Sequence, residues 1–297
     1  MLYSPAQLQV LDAIIETPKF LVHPYIPAKS KVILLHGPGG VGKSAFIWSL
    51  ANALENGQRF LDTSLQPSRT LVISTDMSIH EINLRWTTKF KAYFHAEVCS
   101  PFDILDKGFR KTEVFERLEK FTRINQVELV LIDTLGKIHF NDPSDPATVS
   151  RVYQALTTWF PDTTILVNAH NRKSQHDQTG AEIITDDDFL GSRKWADDAV
   201  GVLQIRRVNG SEFKSRLYHT KSQVSIKADP IDLYIDIYGQ VETWDDGRAN
   251  EVINRWKSIM DKADPIKAYM YQFECSRPTA YRVKKMWETR HQIASKS

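Results

Sequence analysis

Two cysteines in 297 residues, Cys99 and Cys275, are too few and too far apart for a disulfide framework. The expectation is two buried, reduced thiols in a reducing compartment. No apolar run approaches the roughly 18 residues that a membrane helix needs. Met1-Leu2-Tyr3-Ser4-Pro5 lacks the basic region and apolar core of a secretory signal. A cytoplasmic protein without membrane contact is expected. The formal net charge of +2 excludes a wholly basic, polyanion-binding surface, so any nucleic-acid contact must be local. Internal repeats and low-complexity tracts are also missing, which argues against a solenoid or a long disordered region. What remains is the composition of an ordinary globular protein, 42% hydrophobic and 25% charged. The length allows a large single α/β core plus an appendage.

Short apolar segments alternate with amphipathic ones. Residues Pro5 to Glu16 carry Leu8, Val10, Leu11 and Ile14 at helical spacing, and Phe20 to Pro27 read as extended chain. Lys31 to His36 is a branched, apolar run stopped by Gly37, the pattern of a strand buried on both faces. Further strands are expected at Thr70–Ser74, Glu128–Asp133 and Thr164–Asn168. Helices are expected at Lys43–Glu55, Ser78–Phe94, Glu113–Phe121 and Thr148–Phe160. That alternation predicts a parallel sheet covered on both sides. A polar stretch, Asn171 to Asp188, exceeds a normal connection and is either functional or disordered. Strands follow at Ala199–Ile205, Arg216–Thr220 and Leu233–Ile237; from about Ala249 the pattern is helical throughout. The chain therefore divides into an α/β domain, residues 1–247, and a small all-α module, residues 248–297.

Gly37-Pro38-Gly39-Gly40-Val41-Gly42-Lys43-Ser44, continued by Ala45, satisfies G-x-x-x-x-G-K-[ST] between an apolar strand and an amphipathic helix. Glycines let the backbone turn its N–H groups toward a β-phosphate, and the next helix offers its positive end to the same anion. Lys43 is then expected to reach the β- and γ-phosphates of ATP, with the Ser44 hydroxyl on Mg²⁺. Asp133, ending an apolar strand beside Thr134, is the second expected holder of the metal. A turn-capping aspartate is the alternative at that position.

The segments around this pair resemble RecA-type ATPases of the DnaB and plasmid RepA helicase class. Leu71 to Ser74 is followed by Thr75-Asp76-Met77-Ser78, then by Arg85 and Trp86. In that class an acidic residue there polarises the attacking water, and Asp76 falls on the position. The class usually carries glutamate, so the shorter Asp76 must sit closer or act through another water; otherwise it caps the next helix. Leu131 to Leu135, with the acidic, proline-containing loop Asn141 to Asp145, is similar to the RepA-like pattern after the magnesium aspartate. Asn168 to Lys173 resembles the end of the fourth strand, which implies that His170 senses the γ-phosphate. Arg172 and Lys173 would then meet DNA in the following loop, whereas Asp186-Asp187-Asp188 suits a solvated turn away from DNA.

Gly191 to Ala199 looks like the Gly-Ser segment of the class, and Arg216 to Gln223 like the strand whose basic residues reach a neighbouring subunit's ATP. Lys221 matches the lysine. Gln223 stands where the DnaB type often has arginine, so Arg216 takes the finger role by resemblance, with Arg206 and Arg207 as alternatives. The resemblance covers roughly Phe20 to Ile237. It implies a RecA-like P-loop fold with a mostly parallel central sheet flanked by helices.

Residues 250–297 hold ten Lys/Arg against five Asp/Glu, a net +5, which leaves −3 for the rest of the chain. Pro265 to Tyr271 reads as one helix and Ser276 to Val283 as the start of another. Together they resemble a helix-turn-helix in which Arg277, Thr279, Tyr281 and Arg282 meet duplex DNA. A helical bundle for oligomer packing is the competing reading. The resemblance implies a homo-oligomeric, hexameric ring that moves on single-stranded DNA in the replication of a plasmid, phage or other mobile element. An ATP-switched DNA-binding regulator or helicase loader is the second reading, and a metabolic P-loop kinase the third.

Overall fold

The computed structural model describes residues 19–29, 31–77, 82, 95–98, 110–138, 141–170, 192–208, 214–235, 240–243, 254–272, 280–281, 283–284 and 287–288. The helices expected at Pro5–Glu16 and over most of Ser78–Phe94, and the polar stretch Asn171–Asp188, lie outside them. So do Cys99 and Cys275.

Thirteen strands are described in chain order. They are β1 (Phe20–Val22), β2 (Ile26–Pro27), β3 (Val32–Gly37), β4 (Arg59–Phe60), β5 (Thr63–Ser64), β6 (Thr70–Ser74) and β7 (His95–Val98). Then follow β8 (Leu129–Asp133), β9 (Thr164–His170), β10 (Gly201–Arg207), β11 (Lys214–Ser222), β12 (Ile231–Ile235) and β13 (Val241–Thr243). Nine of them form one sheet in the order β13-β12-β11-β10-β3-β9-β8-β6-β7. From β10 to β7 every neighbour pair is parallel, and β10 through β13 continue as antiparallel hairpins. The sequence pattern anticipates the parallel strands but not the edge strand β7 or β13. The first is short, and the second is only three residues long.

Strands β3, β6 and β8 are apolar almost throughout because helices cover both faces. One layer packs Ile33, Leu35, Val72, Leu131, Leu166 and Leu203 against the helix Lys43–Glu55, which presents Phe46, Ile47, Leu50 and Leu54. The opposite layer packs Leu34, Ile73, Val130, Ile132 and Val167 against the helices Glu113–Ile124 and Pro146–Trp159. Helix Lys43–Glu55 buries residues all round, so its amphipathic signal is weak. Helix Pro146–Trp159 is started by Asp145, whose carboxylate accepts from the Ala147 and Thr148 N–H groups at 3.0 Å each, with Pro146 in the first turn.

Beyond the sheet, Trp256, Ile259, Tyr269, Ala280 and Val283 form a separate apolar cluster around the helix Pro265–Gln272. Among the described residues, no helix is long and apolar enough to cross a membrane.

Leu131 is fully buried at the middle of the sheet and contacts the P-loop helix layer. Leu131→Ala is expected to lower unfolding free energy in urea by about 2–5 kcal/mol, the usual cost of a buried leucine cavity. A loss below about 1 kcal/mol would mean that this strand is not central.

Candidate functional site

Six parallel strands end at one edge of the sheet, and the chemistry expected from the sequence collects there. Strand β9 lies between β3 and β8. Its Asn168 pairs with Leu35 and its His170 with Gly37 on one side, while Val167 pairs with Ile132 on the other. Residues 168–170 therefore stand between the P-loop and Asp133.

The loop from Gly37 to Gly42 needs glycine for two different reasons. A Cβ on Gly37 would lie 2.2 Å from the Ile205 carbonyl oxygen of β10, so backbone packing excludes any side chain. At Gly40 and Gly42, φ is 74° and 102°, the left-handed region that favours glycine. A Cβ at Gly39 or Gly40 would meet no protein atom within 4 Å, so these two residues line an open cradle. The helix that follows starts from Gly42 with no side-chain cap and no acidic residue in its first turn. Its leading N–H groups and positive end therefore face the cradle, an arrangement suited to an anion.

Lys43 and Asp133 are the two buried charges of the site, 4% and 1% exposed. The Lys43 ammonium donates to the Gly37 and Pro38 carbonyl oxygens at 2.8 Å each, holding it over its own loop. Burial lowers its pKa to about 8, against the opposing pull of Asp133. Burial raises Asp133, with Asp76 adding to the rise. The Asn168 amide, the Ser44 hydroxyl and Lys43 act in the other direction. Asp133 Oδ1 accepts from Asn168 Nδ2 at 2.5 Å, whereas Oδ2 makes no well-formed hydrogen bond among the described residues.

A hydroxyl and a carboxylate are the oxygen donors that magnesium prefers, the rest of its octahedron being filled by water and phosphate oxygens. No cluster of three His, Cys, Asp or Glu exists among the described residues, so no all-protein metal cage competes with that reading there. The residues present fit an ion that arrives with a triphosphate.

Asp76 follows β6 at the same edge and pairs with the ammonium of Lys137, which lies in the short 3-10 segment Leu135–Lys137 just after Asp133. Threonines lock the neighbouring strand ends together. Thr75 N–H donates to the Asp133 carbonyl at 2.8 Å, and the Thr134 N–H donates to Thr75 Oγ1 at 3.0 Å. Thr134 Oγ1 in turn donates to the Asn168 carbonyl at 2.9 Å. Sequence reading misses Thr75 and Asn168 as parts of the site. Their signal is a polar residue buried at the end of an otherwise apolar strand.

The antiparallel side of the sheet braces the loop. Arg207 Nη2 donates to the Gly40 carbonyl at 2.7 Å and Ser215 Oγ to the Val41 carbonyl at 3.0 Å. A Cβ on Gly42 would lie 2.1 Å from Ile235 Cδ1, so Ile235 packs directly against the loop.

The two basic residues expected on β11 separate. Arg216 is level with Arg206, beyond the end of β3, and its guanidinium grips Asp232 through Nε at 2.5 Å and Nη2 at 3.1 Å. Lys214 shares that carboxylate at 2.6 Å. Lys221 is level with Val202, and its ammonium donates to the Ala196 and Asp197 carbonyls at 2.9 and 2.6 Å. Five residues at about 3.4 Å each put them roughly 17 Å apart along the strand. His170 occupies the last position of β9. Arg172, Lys173, Arg277, Thr279 and Arg282 lie outside the described residues, as does Gly191. Tyr281 is described and 48% exposed.

A glycine cradle, an uncapped helix start and a buried lysine–aspartate pair on a parallel sheet define a P-loop ATPase of RecA-like fold. The chain belongs to the AAA_25 family, described as an AAA domain, whose model matches residues 3–176. No curated protein matches it. Among solved structures it resembles the ATPase domain of G40P, with a TM-score of 0.53 and 11% identity over 73% of this chain and 86% of that one. It also resembles a DnaB-like replicative helicase, solved in a study of its interactions with primase. There the TM-score is 0.57 and the identity 12%, over 82% of this chain and 68% of that one. At these identities the likeness is one of fold.

Because Lys43 titrates near 8, part of it is neutral in mildly alkaline solution. An arriving phosphate favours the ammonium, so binding there takes up a proton. Affinity for a nucleoside diphosphate, measured by calorimetry, is expected to fall as pH rises through about 8. The proton uptake should vanish in Lys43→Met, and an affinity that stays flat through that pH would show that the ammonium does not meet the anion.

Proposed function

We propose that this protein is an ATP-driven DNA translocase of RepA-like type, a ring-forming helicase acting in the replication of a plasmid, phage or other mobile element. The observation that carries the reading is the buried Asp133 carboxylate, with Oδ2 unengaged, beside Ser44 and Lys43 at an uncapped helix start. The loop from Gly37 to Ala45 would bind the triphosphate, and Ser44 with Asp133 would hold its magnesium. The metal would neutralise charge on the β- and γ-phosphates. Lys43 would stabilise the same charge as it builds up in the transition state. Asp76 would orient the attacking water and accept its proton, provided that the Lys137 ion pair opens or turns to leave one carboxylate oxygen available.

His170 pairs with Gly37 in the sheet, which suits a residue that reports the γ-phosphate to the loop carrying Arg172 and Lys173. That loop would follow single-stranded DNA through the channel of a hexamer. Arg216 or Lys221 would serve the neighbouring subunit's nucleotide. For Arg216 this requires release from Asp232; for Lys221, release from the two carbonyls at the end of helix Lys194–Asp198. The helical module, residues 248–297, would add a second contact with duplex DNA through Arg277, Thr279, Tyr281 and Arg282. Its own apolar cluster supports its treatment as a separate unit. The DnaB-like fold supports a role in replication, which we place in the cytoplasm.

An ATPase assay with and without single-stranded DNA, with oligomer size measured in the same samples, tests the proposal. Single-stranded DNA is expected to raise turnover severalfold in a ring-sized species, and Lys43→Ala to abolish it. Stimulation by duplex DNA alone would favour an ATP-switched regulator or loader. Phosphate transfer to a metabolite would favour a kinase, and normal turnover in Lys43→Ala would remove the site altogether.

A further inference from the structure

We infer that Asn168 is a positioning residue for the magnesium ion: its side-chain NH₂ fixes Asp133, and its side-chain Oδ1 together with Asp133 Oδ2 would receive a water held by the ion. The inference rests on the proposed nucleotide and magnesium site, and it assigns a role to a residue that neither the P-loop motif nor the strand-end aspartate predicts.

Asn168 is 1% exposed on a strand whose other residues are mostly apolar, ILV before it and Ala169 after. A polar amide in such a place costs stability unless its groups are paired. Its parity on β9 matches Leu166, which belongs to the P-loop helix layer, so the side chain stands on the same face as Asp133 on β8. The two strands pair in register up to Ile132 and Val167, which leaves Asp133 and Asn168 side by side at the next step. The 2.5 Å contact between them is then a consequence of register. Only the NH₂ end of the amide can donate to a carboxylate, so this contact also fixes which way the amide is turned.

That orientation leaves two acceptors unsatisfied. Asn168 Oδ1 and Asp133 Oδ2 are both buried and neither has a hydrogen-bond partner among the described residues. Two buried acceptors on side chains that touch each other call for a species that brings two protons and no lone-pair conflict. A water polarised by a dication would meet that need, because the cation takes up its lone pair and makes both its hydrogens better donors. The backbone of Asn168 is held as well, through the Thr134 hydroxyl on its carbonyl, so the amide cannot drift from the aspartate without disturbing the Thr75–Thr134 lock. Groups that orient a metal ligand in this way are typically worth about 10- to 100-fold in metal affinity.

The test uses the full chain and a fluorescent ADP analogue titrated with MgCl₂, with nucleotide affinity in EDTA and melting temperature recorded on the same samples. Asn168→Leu keeps the branched shape, with larger methyl ends, and removes both polar groups. It is expected to raise the magnesium midpoint at least tenfold while leaving the metal-free nucleotide affinity unchanged. Asn168→Thr, suited to a buried strand, restores a donor but no carbonyl acceptor, and should fall between Asn168→Leu and the wild type. If Asn168→Leu does not fold, the threonine variant decides alone: a midpoint equal to the wild type would overturn the inference. An unchanged midpoint in folded Asn168→Leu would do the same. Asp133→Asn is the control for the underlying site. If it leaves the magnesium midpoint where it was, the metal assignment itself is wrong; if it shifts while Asn168→Leu does not, only the role of Asn168 falls.

Discussion

One buried carboxylate governs the arrangement at this sheet edge. Asp133 is almost wholly removed from water, which disfavours its charge. Its neighbours divide into those that restore the charge (Asn168, Ser44, Lys43) and one, Asp76, that opposes it. Lys43 is in the complementary position, a buried ammonium supported by two loop carbonyls and by Asp133. Burial disfavours each charge, and under the proposed function a phosphate beside Lys43 and a dication beside Asp133 would offset that cost. A site that is poor at holding its own charges is well suited to holding a ligand's.

The strand order makes this possible. Because β9 intervenes between β3 and β8, the strand that leads into the P-loop and the strand that ends in Asp133 are not adjacent, and the backbone of residues 168–170 runs between their ends. Asn168 uses that position to steady Asp133, and His170 reaches the level of Gly37. The threonine lock, from Thr75 through Thr134 to the Asn168 backbone carbonyl, then extends the hydrogen bonding of three neighbouring strands past their paired ends.

Much of this was legible in the sequence, for identifiable reasons. Strands β3, β6, β8 and β9 are read from the chain because burial on both faces makes them continuous apolar runs. The P-loop is read because its glycines, lysine and serine have fixed chemical spacing. Strand β11 runs from Lys214 to Ser222, longer at both ends than the Arg216–Thr220 expected from hydropathy. Its burial alternates and its ends are polar, so hydropathy fades before the hydrogen bonding does. Ser215 and Ile235 could not be found from the sequence. One is an ordinary strand serine and the other an ordinary apolar residue, and only register reveals that both touch the P-loop. Asn168 ends the expected strand Thr164–Asn168 as a plain polar residue, and its partner emerges only from the pairing of β8 with β9.

The antiparallel wing explains why a P-loop needs more than its own residues. Arg207, Ser215 and Ile235, from three successive strands, contact Gly40, Val41 and Gly42 in turn, so that the loop rests on β10, β11 and β12. The same wing carries Arg216, fastened to Asp232 on β12 through the pairing of β11 with β12. A force that drew Arg216 toward a neighbouring subunit would therefore pull on strands that also support the nucleotide loop of its own subunit. Subunit contact and nucleotide grip would then share one mechanical element. Were the proposed ring to form, that sharing would give hydrolysis at one interface a physical route to the next.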